Sequence, residues 1–141
     1  FLEGWQGTLV CDDFSGYKAL FAQGVTEAGC LAHARRKFHE LWVSHKSALA
    51  GEALDLIRAI YEVERLAGEL DAEQRYRLRQ LRSKPITETW RQWLVLHRQR
   101  ASDGTAIAKA IDYSLNRWTA LMRFLDDGAV PTDNNWIENR I

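Results

Sequence analysis

Two hydrophobic periods divide the chain. Up to about residue 38, short apolar runs alternate with turn residues; from Ala50 onward apolar positions recur every three or four residues. Thr8, Leu9, Val10 and Cys11 combine β-branched and apolar side chains, then meet the turn formers Asp12 and Asp13, so a short strand is expected from Trp5 to Cys11. Ser15 to Gln23 carries Tyr17, Leu20 and Phe21 at helical spacing and stops at Gly24. Val25 to Cys30 reads as a second strand, weakened by Glu27 and Gly29. A helix is expected from Ala32 to about His45, with Phe38, Leu41 and Trp42 on its apolar face.

The second part reads as helix throughout. Leu54, Ile57, Tyr61, Leu66 and Leu70 define one long amphipathic helix. Glu62 and Glu64 beside Arg58 and Arg65 read as its solvated face. Another helix is expected from Glu73 to Ser83, with an interruption at Pro85. Thr87 to Arg100 follows, with Trp90, Trp93, Leu94 and His97 along one side. After a Ser102–Asp103–Gly104 loop, the spacing of Ile107, Ile111, Leu115, Trp118, Met122 and Leu125 predicts one helix from Thr105 to about Asp126, stopped by Asp126, Asp127 and Gly128.

Composition changes this picture little. The chain has 141 residues, 46% apolar and 27% charged, which suits one domain with a real core. A net charge of zero argues against a domain devoted to non-specific nucleic-acid binding. Local basic runs survive in Arg35–Arg36–Lys37 and between Arg75 and Lys84. Two cysteines, Cys11 and Cys30, do not make a secreted disulfide framework, and a cytoplasmic setting is expected. No apolar run has the length of a membrane span, so no membrane partner is expected. The abrupt start at Phe1 and end at Ile141 read as a piece of a larger protein.

Candidate chemistry lies near the two ends. Asp12 stands at the carboxyl end of the first expected strand, where open α/β sheets bind ligands. Asp13 is better suited to cap the helix that follows. At the other end, Asp133 or Asn134 can cap a helix start, with Glu138 about one turn inside. Taken alone, that stretch also reads as a capped surface helix with a solvated Glu. Two carboxylates are the donors that a Mg²⁺ site needs, although 19 acidic residues offer many such pairs. Cys30 and His33 invite a zinc reading, with Cys11 and His39 as further ligands, but no second pair has standard spacing. Arg35 and Arg36 read either as a solvated face or as phosphate contacts. The tryptophans at 90, 93 and 118 read as core, with base stacking the lesser reading.

Four motifs stand in order along the chain: Leu9 to Tyr17; Cys30-Leu31-Ala32-His33-Ala34-Arg35-Arg36-Lys37-Phe38; Ala110 to Tyr113 with Trp118 and Leu121; and Asp133-Asn134-Asn135-Trp136-Ile137-Glu138-Asn139-Arg140. Taken together, they resemble the transposases of the insertion-sequence-66 (IS66) family. The order matches and the resemblance covers essentially the whole chain. It implies a DDE-type transposase with a ribonuclease-H-like core. Asp12 would be the second acidic residue of the triad and Glu138 the third, both binding Mg²⁺ or Mn²⁺. Arg35, Arg36 and Arg140 would contact DNA phosphates, and His33, Asn134 and Asn135 would support the site. The first triad Asp would lie on a strand earlier than Phe1.

The fold expected on this basis is α/β with predominantly helical content: a partial ribonuclease-H-like strand–helix–strand core interrupted by a large all-α insertion. Residues 1–38 would be the core segment, 39–129 the insertion, and 130–141 the return to the core. The expected function is part of a bacterial, cytoplasmic DNA transposase that hydrolyses phosphodiesters and transfers strands. Its partners would be element-end and target DNA, and the intact protein would be a homo-oligomer. The isolated chain, lacking the first Asp, would be inactive. The rival is a non-enzymatic helical interaction or DNA-binding module, or a degenerate remnant.

Overall fold

The computed structural model describes residues 8–11 and 26–132. Thr8–Cys11 (β1) and Thr26–Gly29 (β2) pair in parallel, with Thr8 opposite Thr26 and Cys11 opposite Gly29. Helices then follow without interruption: Leu31–His45 (α1), Ala48–Ala67 (α2), Ala72–Leu78 (α3), a π-helical turn Arg79–Ser83, Lys84–Arg100 (α4), Ala106–Asn116 (α5), Trp118–Leu121 (α6) and Arg123–Asp126 (α7).

This corrects the expected α/β class. Among the described residues the sheet is one pair of four-residue strands, and a ribonuclease-H-like strand–helix–strand core is not seen. The helix expected at Ser15–Gln23 lies outside the described residues. The physical reason is size: a two-stranded ribbon cannot bury a core by itself. The described core is instead made by helices, from Leu31, Ala34 and Phe38 of α1, Ala50, Ala53, Ile57 and Ile60 of α2, Trp90 and Leu94 of α4, and Ala110 and Ile111 of α5. Leu121, Phe124, Leu125 and Val130 close it from the C-terminal side.

Local sequence explains several helix ends. α1 and α2 turn back on each other through Lys46, whose φ of 52° is left-handed, and Ser47, whose hydroxyl accepts from the Ala50 N–H. Asp71 and Gln74 form a reciprocal capping box at the start of α3. Thr105 caps α5 by accepting from the Ala108 N–H.

Two expectations about helix continuity are revised. Pro85 does not interrupt: α3, the π turn and α4 form one continuous run from Ala72 to Arg100. The π turn carries the Lys84 N–H to the Arg79 carbonyl, a wider ring than an α-turn, directly before Pro85, the one residue of the run that has no N–H to donate. Conversely, the single helix expected from Thr105 to Asp126 is broken twice. Arg117 (φ −112°, ψ 15°) and Met122 (φ −90°, ψ 0°) leave helical geometry. At the second segment β2 comes close, since a Cβ on Gly29 would stand 2.8 Å from the Leu121 nitrogen.

Candidate functional site

The carboxylates singled out in the sequence, Asp12 and Glu138, lie outside the described residues, as do Asn134, Asn135 and Arg140. The structure describes the frame that leads to them. β1 ends at Cys11, one residue before Asp12, and Cys11 is in register with Gly29. Two residues further on, the Leu31 N–H donates to the Thr132 carbonyl at 3.0 Å, and Thr132 directly precedes Asp133. The chain therefore leaves towards Asp12 and towards Asp133 from neighbouring points. The helical body from α1 to α7 begins and ends at this neck.

At the neck, Cys30 stands before α1 in an extended conformation and is buried. The His33 N–H donates to the Cys30 carbonyl at 3.2 Å, closing the first turn, and the His33 ring is half-buried. Arg35 and Arg36 follow on the exposed side of α1, with no ion-pair partner among the described residues. Lys37 departs from this pattern: its ammonium lies 5.2 Å from the centre of the Tyr113 ring. Among the described residues, no three His, Cys, Asp or Glu side chains are grouped as a metal site. For the zinc reading, His39 is six positions from His33, which turns it to a different side of α1. The tryptophans read as core are packed. Trp90 is fully buried with its ring 5.2 Å from that of Trp118, and Trp93 packs edge-on against Phe38 at 6.0 Å.

What holds the segment before Asp133 was not legible as a site. Arg75 and Arg79, expected in a basic surface run, are buried. Glu64, expected on a solvated face, is buried against Arg79, with side-chain exposures of 8% and 1%. The pair is bidentate: Arg79 Nε and Nη2 donate to the two Glu64 oxygens at 3.0 and 2.6 Å. Arg79 Nη1 donates to the carbonyls of Phe124 (2.8 Å), Asp127 (3.2 Å) and Val130 (2.8 Å), and the guanidinium lies over the Phe124 ring. Arg75 donates to the carbonyls of Ala67, Leu70 and Gly128. Two buried guanidiniums thus tie residues 124–130 onto the α2–α3 hairpin. Gly128 fits tightly there: a Cβ would overlap the Ala72 carbonyl oxygen.

A signal for these residues did exist. Arg75, Arg79, Ser83, Thr87, Trp90 and Leu94 form one stripe at spacings of four and three, and all six are buried. Extending the Trp90–Leu94 stripe backwards through the run would have placed both arginines inside. Their charge argued the other way, because charged residues are rarely buried unless paired.

The family model described as "Transposase IS66 family" matches residues 1–141. Three uncharacterized proteins of Sinorhizobium fredii (strain NBRC 101917 / NGR234) are similar to the chain. They are y4qI, 39% identical over 155 residues, y4jD, 36% over 144, and y4hP, 35% over 157. The alignments cover 97–99% of this chain but 28% of each relative, so the chain spans little more than a quarter of their length. No solved structure matches.

Proposed function

The chain belongs to the IS66 family of transposases, and on that premise we propose that it is the part of a DNA transposase carrying two acidic residues of the catalytic site, Asp12 and Glu138. The observation that carries this reading is the neck. β1 runs to Cys11 opposite Gly29, and Leu31 bonds to Thr132, so the leads into both acidic segments start side by side although 126 positions separate the two carboxylates. In this reading residues 1–38 and 130–141 are the catalytic segments, and residues 39–129 are a helical insertion between them.

The reaction is phosphoryl transfer on DNA. Water attacks a phosphodiester at the element end, and the freed 3′-hydroxyl then attacks the target strand. Both steps depend on positioning and on neutralising charge at the transferring phosphate. Two carboxylates are hard oxygen donors, the set that suits Mg²⁺ or Mn²⁺. Asp12 and Glu138 would hold such an ion, which when bound supplies charge neutralisation at phosphorus. Arg35 and Arg36, exposed beside the neck, together with Arg140, contact backbone phosphates. His33, Asn134 and Asn135 support the site. The intact enzyme works as a homo-oligomer in the bacterial cytoplasm; among the described residues no helix is long and apolar enough to cross a membrane.

Strand cleavage by the intact transposase on element-end DNA tests the reading. Asp12→Ala and Glu138→Ala should each abolish Mg²⁺-dependent cleavage, while the 141-residue chain alone should not cleave. Full cleavage by either variant would overturn it, and cleavage by the isolated chain that is lost with Asp12→Ala would overturn the expected inactivity of that chain alone. A second reading, a helical interaction module, draws on the exposed apolar side chains Leu81, Val95 and Leu96 on the Arg79–Arg100 run. It predicts no cleavage and a shallow salt dependence of any DNA binding.

A further inference from the structure

We infer that Glu64, Arg79 and Arg75 act as a positioning clamp for the catalytic Glu segment; the inference rests on the transposase reading above. Arg79 is the centre of it. A buried guanidinium needs only its carboxylate partner and a few acceptors to be satisfied. This one spends a donor nitrogen, Nη1, on three carbonyls, Phe124, Asp127 and Val130, that belong to a single strap. Arg75 adds the Gly128 carbonyl of the same strap, 2.9 Å from Nη1. The Gln80 amide adds the Leu125 carbonyl at 2.7 Å. Five carbonyls between residues 124 and 130 are thus held by side chains from one helical run, over 45 to 53 positions of sequence.

After α7 the strap is a short turn, in which the Val130 N–H donates to the Asp127 carbonyl at 3.0 Å and the Ala129 N–H to Asp127 Oδ1 at 2.9 Å. It continues through Val130, which is buried, to Thr132, whose carbonyl meets the Leu31 N–H at the neck. Six positions later stands Glu138. A clamp at 124–130 and a bond at 132 hold the chain in place up to Thr132, the last described residue before the Glu138 segment. Glu64 fixes the clamp in turn: its bidentate grip on Nε and Nη2 leaves Nη1 aimed at the strap. Arg79 and Glu64 are therefore positioning residues for the reaction rather than groups that touch the DNA.

The test uses the intact transposase and three readouts: thermal unfolding, amide hydrogen exchange of residues 124–132, and the Mn²⁺ dependence of strand cleavage. The double variant Glu64→Leu/Arg79→Met removes the clamp without leaving a buried charge, an exchange that is often neutral for stability. The expected result is a folded protein with a moderately lower unfolding temperature, because the buried Phe124 and Val130 carbonyls lose their donor, together with faster exchange across 124–132, cleavage reduced roughly 10- to 100-fold, and a higher half-saturating Mn²⁺ concentration. If the double variant does not fold, Arg79→Lys serves: it keeps the charge beside Glu64 but loses the fork that reaches three carbonyls, and the same shifts are expected. Cleavage and Mn²⁺ dependence unchanged in a folded variant, with Glu138→Ala inactive, would overturn the clamp alone. Cleavage that survives Glu138→Ala would sink the catalytic reading and the clamp with it.

Discussion

Glu64 and Arg79 form an ion pair in the interior. Their side chains are almost fully enclosed, so removing one partner leaves a charge in the core. Arg79→Met is expected to cost about 3–5 kcal/mol, more than the double variant with Glu64→Leu. Urea unfolding of these variants and of Glu64→Leu checks the order, and a double-variant loss equal to the sum of the two single losses would mean that the pair is not coupled. Gly128 makes a related point about space. Its neighbour is the backbone oxygen of Ala72, which cannot rotate away as a side chain would. Gly128→Ala should therefore cost about 1–3 kcal/mol, read as a lower urea midpoint with an unchanged slope. By contrast, Trp90 is an ordinary core residue. It is fully buried against Trp118, and Trp90→Ala should destabilise by about 3–5 kcal/mol.

Elements in this chain start where their caps say and end where packing says. Ser47, Asp71 and Thr105 all use their side-chain oxygens on the first turn of the helix that follows. Thr105→Ala should cost about 1 kcal/mol and should loosen amide protection at Ala106–Ala108 first. Unchanged exchange there would show that packing alone holds α5. These starts were legible, because a capping residue before an apolar period is a local signal. The stops were less so. Pro85 reads locally as a break, yet the π turn before it lets the helix continue. The stripe from Ile107 to Leu125 reads as one helix, yet Arg117 and Met122 break it. Near the second break β2 lies against the Leu121 backbone, and no period in the sequence announces that contact.

For the molecule as a whole, charge is arranged rather than absent. Residues 35–37 place three cations beside the neck, while Glu52, Asp55, Glu62, Glu64, Glu69, Asp71 and Glu73 fall along α2 and the start of α3. A net charge of zero thus leaves room for a basic surface where DNA would approach. Arg35→Ala/Arg36→Ala in the intact transposase should weaken DNA binding without regard to sequence. It should also reduce the slope of log affinity against log salt by about 2, one per lost phosphate contact. An unchanged slope would assign both arginines to solvent. What the sequence alone determined is the set of signals that act over a few residues: the strand-like run into Asp12, the capped helix starts, the apolar stripes, and the motifs that carry the family. Tertiary structure decided which charges went inside, although the buried stripe from Arg75 to Leu94 already pointed that way. Whether Arg79 is a surface cation or a buried clamp depends on Glu64, 15 positions away, and on carbonyls up to 51 positions away. Burying a guanidinium is tolerable only when those partners arrive together, and that meeting is a property of the folded chain.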